Sequence, residues 1–126
     1  MIDRIDHIVL TVRSLEATLN FYERVLGFRR ELRPDAPASL MFGLQKINVH
    51  QSDRTFEPKA ASPTPGAGDF CLITLRPMSE VISHLQNCGV TIVLGPVARI
   101  GAQGAMTSVY FRDPDANLVE IGRYDD

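Results

Sequence analysis

DHIVLTV, Asp6–Val12, and DFCLITL, Asp69–Leu75, are the two stretches on which the fold turns. The second follows the first position for position, 63 residues further along the chain. The first is rich in β-branched residues and bounded by charge, which reads as a strand. After it comes SLEATLNFYERVLG, where Leu15, Leu19, Tyr22 and Leu26 recur at helical spacing on one face. Ser14 suits the N-cap, and Gly27 suits the left-handed position past the C-terminus. After the second stretch comes PMSEVISHLQNC, with Val81, Leu85 and Cys88 on one stripe and Gly89 at its end.

Three short strands are expected after each helix. In the first half they are Phe28–Leu32, Ser39–Phe42 and Lys46–Gln51, with Gly43 and Leu44 in a tight turn. In the second half they are Val90–Leu94, Thr107–Arg112 and Leu118–Gly122. The helix-ending glycines align at an offset of 62, Phe42 aligns with Phe111, and His50 aligns with Glu120 at an offset of 70. The chain therefore reads as two βαβββ modules of about 60 residues each, an internal repeat that resets the fold expectation. Module 1 covers 1–52, module 2 covers 69–126, and 53–68 links them. Pro58, Pro63, Pro65, Gly66 and Gly68 break regular structure in the linker. A loop of that length is usually a linker or a binding segment. Neither module has enough core to stand alone, so the expectation is a single domain over 1–126.

Composition narrows the partners. Lys plus Arg is 13 and Asp plus Glu is 15, a net charge of -2. Nucleic acid and anionic membranes both select an excess of Lys and Arg, so neither is expected as a partner. Cys71 and Cys88 form no CxxC pair and are expected as reduced, buried thiols of a cytoplasmic protein. The opening MIDRIDHIVLTV carries charge through what a leader would keep apolar, and no run is long enough to span a membrane.

Side chains alternate across a strand, so parity assigns faces. Ile8, Leu10 and Val12 should pack under the helix, leaving His7, Val9 and Thr11 opposite. Asn48 and His50 oppose Ile47 and Val49. Leu118, Glu120 and Gly122 oppose Val119 and Ile121. Ser108, Tyr110 and Arg112 oppose Val109 and Phe111. In Asp69–Leu75 the expectation puts Cys71, Ile73 and Leu75 under the helix and Phe70, Leu72 and Thr74 opposite. His7, His50 and Glu120 thus share the face away from the helices, where a curled sheet can bring them together. Two imidazoles and a carboxylate suit a divalent first-row metal and leave positions open for water or substrate. The alternatives are a half-exposed His7 and a strand-capping His50. Glu120 in an apolar strand needs a partner in any case.

At this point the motifs carry a family resemblance. FYERVLGF, Phe21–Phe28, resembles the helix-to-strand signature of the vicinal oxygen chelate superfamily. FRDPDANLVEI, Phe111–Ile121, resembles its closing hairpin, F-x-D-P-D-G-N-x-x-E, and DHIVLTV resembles its opening strand. The resemblance covers essentially the whole chain. It implies an α+β fold of two βαβββ modules, forming a cupped, mostly antiparallel eight-stranded sheet with helices on the outer face. It also implies a homodimer and a divalent metal in the trough (iron, nickel, zinc or manganese). The family's ligand positions fall here on His7, His50, Phe70 and Glu120, and Phe70 cannot ligate. Ala116 replaces the turn glycine, which strains the turn by about 1 kcal/mol unless Asn117 takes the left-handed conformation.

The function implied by the resemblance is a metal-dependent enzyme acting on a small oxygen-chelating substrate, of the glyoxalase lyase/isomerase type. In it Glu120 ligates and moves a proton, and Tyr110 donates a hydrogen bond. Arg99 and Arg112 hold an acidic group, and Phe70 and Asn48 line the trough. One alternative is a non-haem Fe(II) dioxygenase. Extradiol cleavage needs a further histidine, and only His84 remains, on a helix. The other alternative is a metal-free binding protein of the bleomycin-resistance type, for which the absence of Trp is a poor fit.

Overall fold

Alternation along β1 (His7–Val12) organises the first half of the chain. The computed structural model describes residues 1–125. It divides into two units, residues 1–67 and Gly68 onward. In unit 1, β1 is followed by α1 (Leu15–Leu26), β2 (Arg29–Glu31), β3 (Ala38–Phe42) and β4 (Gln45–Gln51), in the sheet order β1-β4-β3-β2. β1 runs parallel to β4, and the other two pairings are antiparallel. Leu10, Val12, Ile47 and Val49 meet Leu19, Tyr22 and Val25 of α1 in a buried core. The local signals for α1 hold. Ser14 Oγ accepts from the Ala17 N–H at 3.2 Å, and Gly27 ends the helix at φ 69°.

Unit 2 repeats the pattern with β5 (Asp69–Ile73), α2 (Met78–Asn87), β6 (Leu94–Gly101), β7 (Gly104–Arg112) and β8 (Leu118–Tyr124). Its order is β5-β8-β7-β6, with β5 parallel to β8. Leu85 of α2 is buried with Val109, Phe111, Val119 and Ile121. The α+β class and the paired βαβββ units are as expected, with hydrogen bonds grouping the eight strands into two four-stranded sheets.

Three expectations are corrected. The strand after α2 lies at Leu94–Gly101 instead of Val90–Leu94. Pairing with β7 outweighs the Gly95-Pro96 break, which is absorbed where the register shifts between Leu94 and Val97. The left-handed turn residue is Ala116 itself, at φ 66°. Cys71 is exposed and Cys88 only half-buried.

The β7–β8 turn is closed by buried polar groups. Asp113 Oδ1 accepts from the N–H groups of Asp115 and Asn117, at 2.9 and 3.0 Å. Asn117 Nδ2 donates to Asp113 Oδ2 at 2.8 Å, and its Oδ1 accepts from the Gly68 N–H at 2.7 Å. Asn117 is 1% exposed, so removing its side chain takes a partner from one donor, the Gly68 N–H, and from one acceptor, Asp113 Oδ2. Asn117→Ala should lower unfolding free energy by about 2 kcal/mol in urea titration, with the slope unchanged. Ala116→Gly should raise it by about 0.5 kcal/mol, because glycine relieves the positive φ at some entropic cost.

Candidate functional site

In unit 1 the strand register puts His7, Val9 and Thr11 on one face with Lys46, Asn48 and His50. The expected face is confirmed for both histidines, but they are not neighbours. His7 stands opposite Lys46 and His50 opposite Thr11, four positions apart, or roughly 13 Å along the strands. His7 Nδ1 bonds Asp6 Oδ2 at 2.9 Å, with the imidazole side chain 44% exposed. This hydrogen bond is the main reason the Asp6 carboxyl lies below its ordinary range. An imidazole held at Nδ1 by a carboxylate presents Nε2 as its donor nitrogen.

His50 is buried at 4% exposure, its ring 5.6 Å from that of Phe56. Its Nδ1 is buried and has no partner. Burial, and then the charge of Lys59, hold the imidazole below its ordinary pKa, so it is neutral at neutral pH. Asn48 Oδ1 accepts from Ser39 Oγ at 2.8 Å, which fixes the amide on the same face. A cleft of about 260 Å³ elsewhere in unit 1 includes Leu15, Val49, Phe56 and Arg54 in its lining. Val49 alternates with His50 along β4, so the cleft takes in the helix side of that strand.

In unit 2 Glu120 stands directly opposite Tyr110 of β7 and Cys71 of β5. Glu120 Oε2 is buried and without a partner. Tyr110 Oη accepts from Arg99 Nε at 2.9 Å, and the guanidinium also lies 5.4 Å over the phenol ring. Arg112 lies on this face too, but its Nη1 donates to the Ala116 carbonyl at 3.3 Å and serves the turn. His84 lies on α2, with Nε2 3.5 Å from Cys88 Sγ.

The expectation for β5 is overturned. Phe70 pairs with Val119, and Leu72 with Ile121, so both lie on the helix face. Phe70 is therefore not a trough residue, and Asp69, Cys71 and Ile73 take that side. Both parities of DFCLITL are apolar, so alternation could not choose between them, and only the register with β8 decides. Cys71 is the functional candidate that sequence reading missed. Burial, then the charge of Glu120 and a hydrogen bond to it, push its thiol up to about 11. It is a protonated thiol held against the carboxylate. Among the described residues no three His, Cys, Asp or Glu side chains are grouped as a metal site. The expected donors are divided, with His7 and His50 in unit 1 and Glu120 in unit 2.

Comparison with known proteins agrees with the fold. The family profile described as Glyoxalase/Bleomycin resistance protein/Dioxygenase superfamily matches residues 4–121. Virulence protein STM3117 of Salmonella typhimurium is 52% identical over 124 residues, which are 98% of this chain and 86% of the relative. Its crystal structure superposes with a TM-score of 0.97 at 51% identity, covering 99% of each chain. Glyoxalase domain-containing protein RDO1 of Mycosarcoma maydis is 43% identical over 97% of this chain and 69% of its own length. Lactoylglutathione lyase from Agrobacterium tumefaciens shares the fold at a TM-score of 0.72 and 24% identity, covering 95% of this chain and 92% of its own. No helix of the described residues is long and apolar enough to cross a membrane.

The His50 environment fixes a pH response. Its pKa lies below the ordinary 6.5 when folded, so the unfolded chain binds the proton more readily. The contribution is complete above about pH 6.5 and is lost as pH falls below it. The urea midpoint of the metal-free protein should drop between about pH 7.5 and about pH 5.5, and His50→Gln should flatten that drop.

Proposed function

The chain belongs to the Glyoxalase/Bleomycin resistance protein/Dioxygenase superfamily, and from that membership we propose a divalent-metal-dependent enzyme of the glyoxalase lyase/isomerase type, acting on a small oxygen-chelating substrate. The observation that carries the reading is the Glu120 carboxylate, whose Oε2 is buried without a partner while Tyr110 stands opposite. A buried anionic oxygen is costly unless a cation or a proton meets it. His7 is the imidazole donor we favour, because Asp6 orients it in the way metal-bound histidines are oriented. His50, the other imidazole expected in the set, stands roughly 13 Å along the strands from His7, too far for one ion to take both, so it is left out of this reading.

Iron, nickel, zinc or manganese bound there supplies Lewis acidity toward a pair of substrate oxygens. The chain's own groups do the rest. Glu120 takes a proton from the substrate carbon next to the carbonyl and returns it to the neighbouring carbon. Tyr110 Oη accepts from Arg99 and keeps its own proton to donate to a substrate oxygen. The remaining N–H groups of Arg99 receive an acidic substituent, and Asn48 lines the face in unit 1. Arg112 and Phe70 have no part in this reading, because one holds the turn and the other faces the helix. A homodimer belongs to the same reading.

Metal analysis of the purified protein tests it. His7→Ala and Glu120→Ala should each remove most of the bound metal, and His50→Ala should leave it in place. Asp6→Asn should weaken metal affinity by about tenfold or more while leaving the fold intact. Glu120→Gln should cut the turnover of a hemithioacetal by at least about 10². Iron with oxygen uptake on a catechol would replace this reading with a dioxygenase. Protein without metal, unaffected by adding one, would replace it with a binding module.

A further inference from the structure

The cleft of about 260 Å³ in unit 1 plays no part in the proposed reaction. None of His7, Asn48, Arg99, Tyr110 or Glu120 lines it, so a ligand there stands or falls without a metal. Its apolar floor is Val49, 2% exposed, and Ala38, 7% exposed, directly opposed on β4 and β3. Its walls are Leu15 at the start of α1, Leu32 and Ala36 between β2 and β3, and Phe56 after β4. Phe56 belongs to the stretch 53–68, whose sequence reads as either a linker or a binding segment. Its ring packs on His50, 5.6 Å away centre to centre, which holds that wall in place.

The polar groups of the cleft divide into spent and open ones. The Gln51 amide is spent, since Oε1 accepts from the Leu15 N–H at 3.0 Å and Nε2 donates to Asp53 Oδ1 at 2.9 Å. Those bonds tie the start of α1 to the end of β4 and to the segment beyond it. Arg33 and Arg54 are open. Their side chains are 71% and 80% exposed, so they stand where the cleft meets water. Each meets an acid, Arg33 through Nη2 with Glu31 and Arg54 through Nε with Asp53 at 3.9 Å. Neither acid lines the cleft, and the other guanidinium N–H groups keep their donors.

We propose that this cleft is a binding site for a small apolar carboxylate, one ring or branched chain bearing a single acid group. Its volume is just below the about 300 Å³ at which sites for drug-sized ligands begin, which suits one ring. The ring buries apolar surface against Val49, Leu15 and Phe56. The carboxylate meets the two guanidiniums, whose planar forks match it. An ion pair open to water contributes little, so the ring supplies most of the affinity and the arginines select the acid over a neutral or cationic analogue.

Titration of the full-length protein with phenylacetate, followed by amide chemical shifts in NMR, tests this. Saturable shifts are expected at Leu32, Ala38 and Phe56. Acetate, which lacks the ring, should bind at least about tenfold more weakly. Phenylacetamide, which lacks the charge, should bind about threefold more weakly. Arg33→Gln combined with Arg54→Gln should abolish the preference for phenylacetate and leave phenylacetamide within about twofold of wild type. Ala36→Leu should fill the cleft and abolish binding of both. Absence of saturable shifts, or shifts centred on Tyr110 and Glu120 instead, overturns the site. Acetate or phenylacetamide binding as tightly as phenylacetate, or a preference that survives the double arginine variant, overturns the ligand class. Should Ala36→Leu fold poorly by circular dichroism, the arginine variant still decides, because both of its side chains are largely in solvent.

Discussion

The buried bonds of Asp113 and Asn117 fix more than a turn. Through Oδ1, Asn117 holds the Gly68 N–H, and the Gly68 carbonyl accepts from the Leu118 N–H at 2.9 Å. Gly68 is the last residue before β5, so these two bonds clamp the start of β5 against the start of β8. From that clamp the pairing runs Asp69 with Leu118, Phe70 with Val119 and Cys71 with Glu120. A slip of one residue would turn every β5 side chain to the other face. Phe70 would leave the core and Cys71 would leave the carboxylate. The chemistry of unit 2 is therefore set by an amide buried at 1% exposure, which itself does no chemistry.

Unit 1 has the same strand order and a more exposed clamp, in which Gln45 Nε2 donates to the Ile5 carbonyl at 2.6 Å and the Lys46 N–H to the Asp6 carbonyl at 3.4 Å. Its register is held by apolar pairs, Ile8 with Ile47 and Leu10 with Val49, under α1. The two halves therefore repeat in topology without repeating in register. His50 and Glu120 align in sequence at an offset of 70, whereas β1 and β5 align at 63. The difference is visible in the pairing, where Glu120 faces Cys71, the third residue of β5, while His50 faces Thr11 near the end of β1. Equivalent places in a repeat are not equivalent places on a sheet when the loops between strands differ in length.

What was legible in the sequence was what local chemistry decides. Ser14, Gly27 and the Leu15–Leu26 stripe announce α1 because caps and helical periodicity act within a few residues. The faces of β1, β4, β7 and β8 were legible because one parity of each is apolar and the other polar. β5 was not, since Phe70 and Leu72 compete with Cys71 and Ile73 on equal hydrophobic terms, and only a partner strand 49 positions away settles the matter. β6 was misplaced for a related reason. Gly95 and Pro96 read as an interruption, yet long-range pairing with Ser108–Tyr110 carries the strand across them. Ala116 at positive φ is the same lesson at a single residue, because the Asp113–Asn117 bonds impose the conformation over the preference of alanine.

Read across unit 2, one row of side chains combines four different kinds of group. Arg99 donates to Tyr110, Tyr110 stands against Glu120, and Glu120 stands against Cys71. The two neighbours act on the carboxylate in different ways. The phenol is already an acceptor for a cation, so its own proton is directed away from Arg99 and available to an oxygen. The thiol is held protonated by burial and by the carboxylate's charge. Which groups face the carboxylate follows from the order of the residues along the sheet, and that order holds only while the β5–β8 and β7–β8 registers hold.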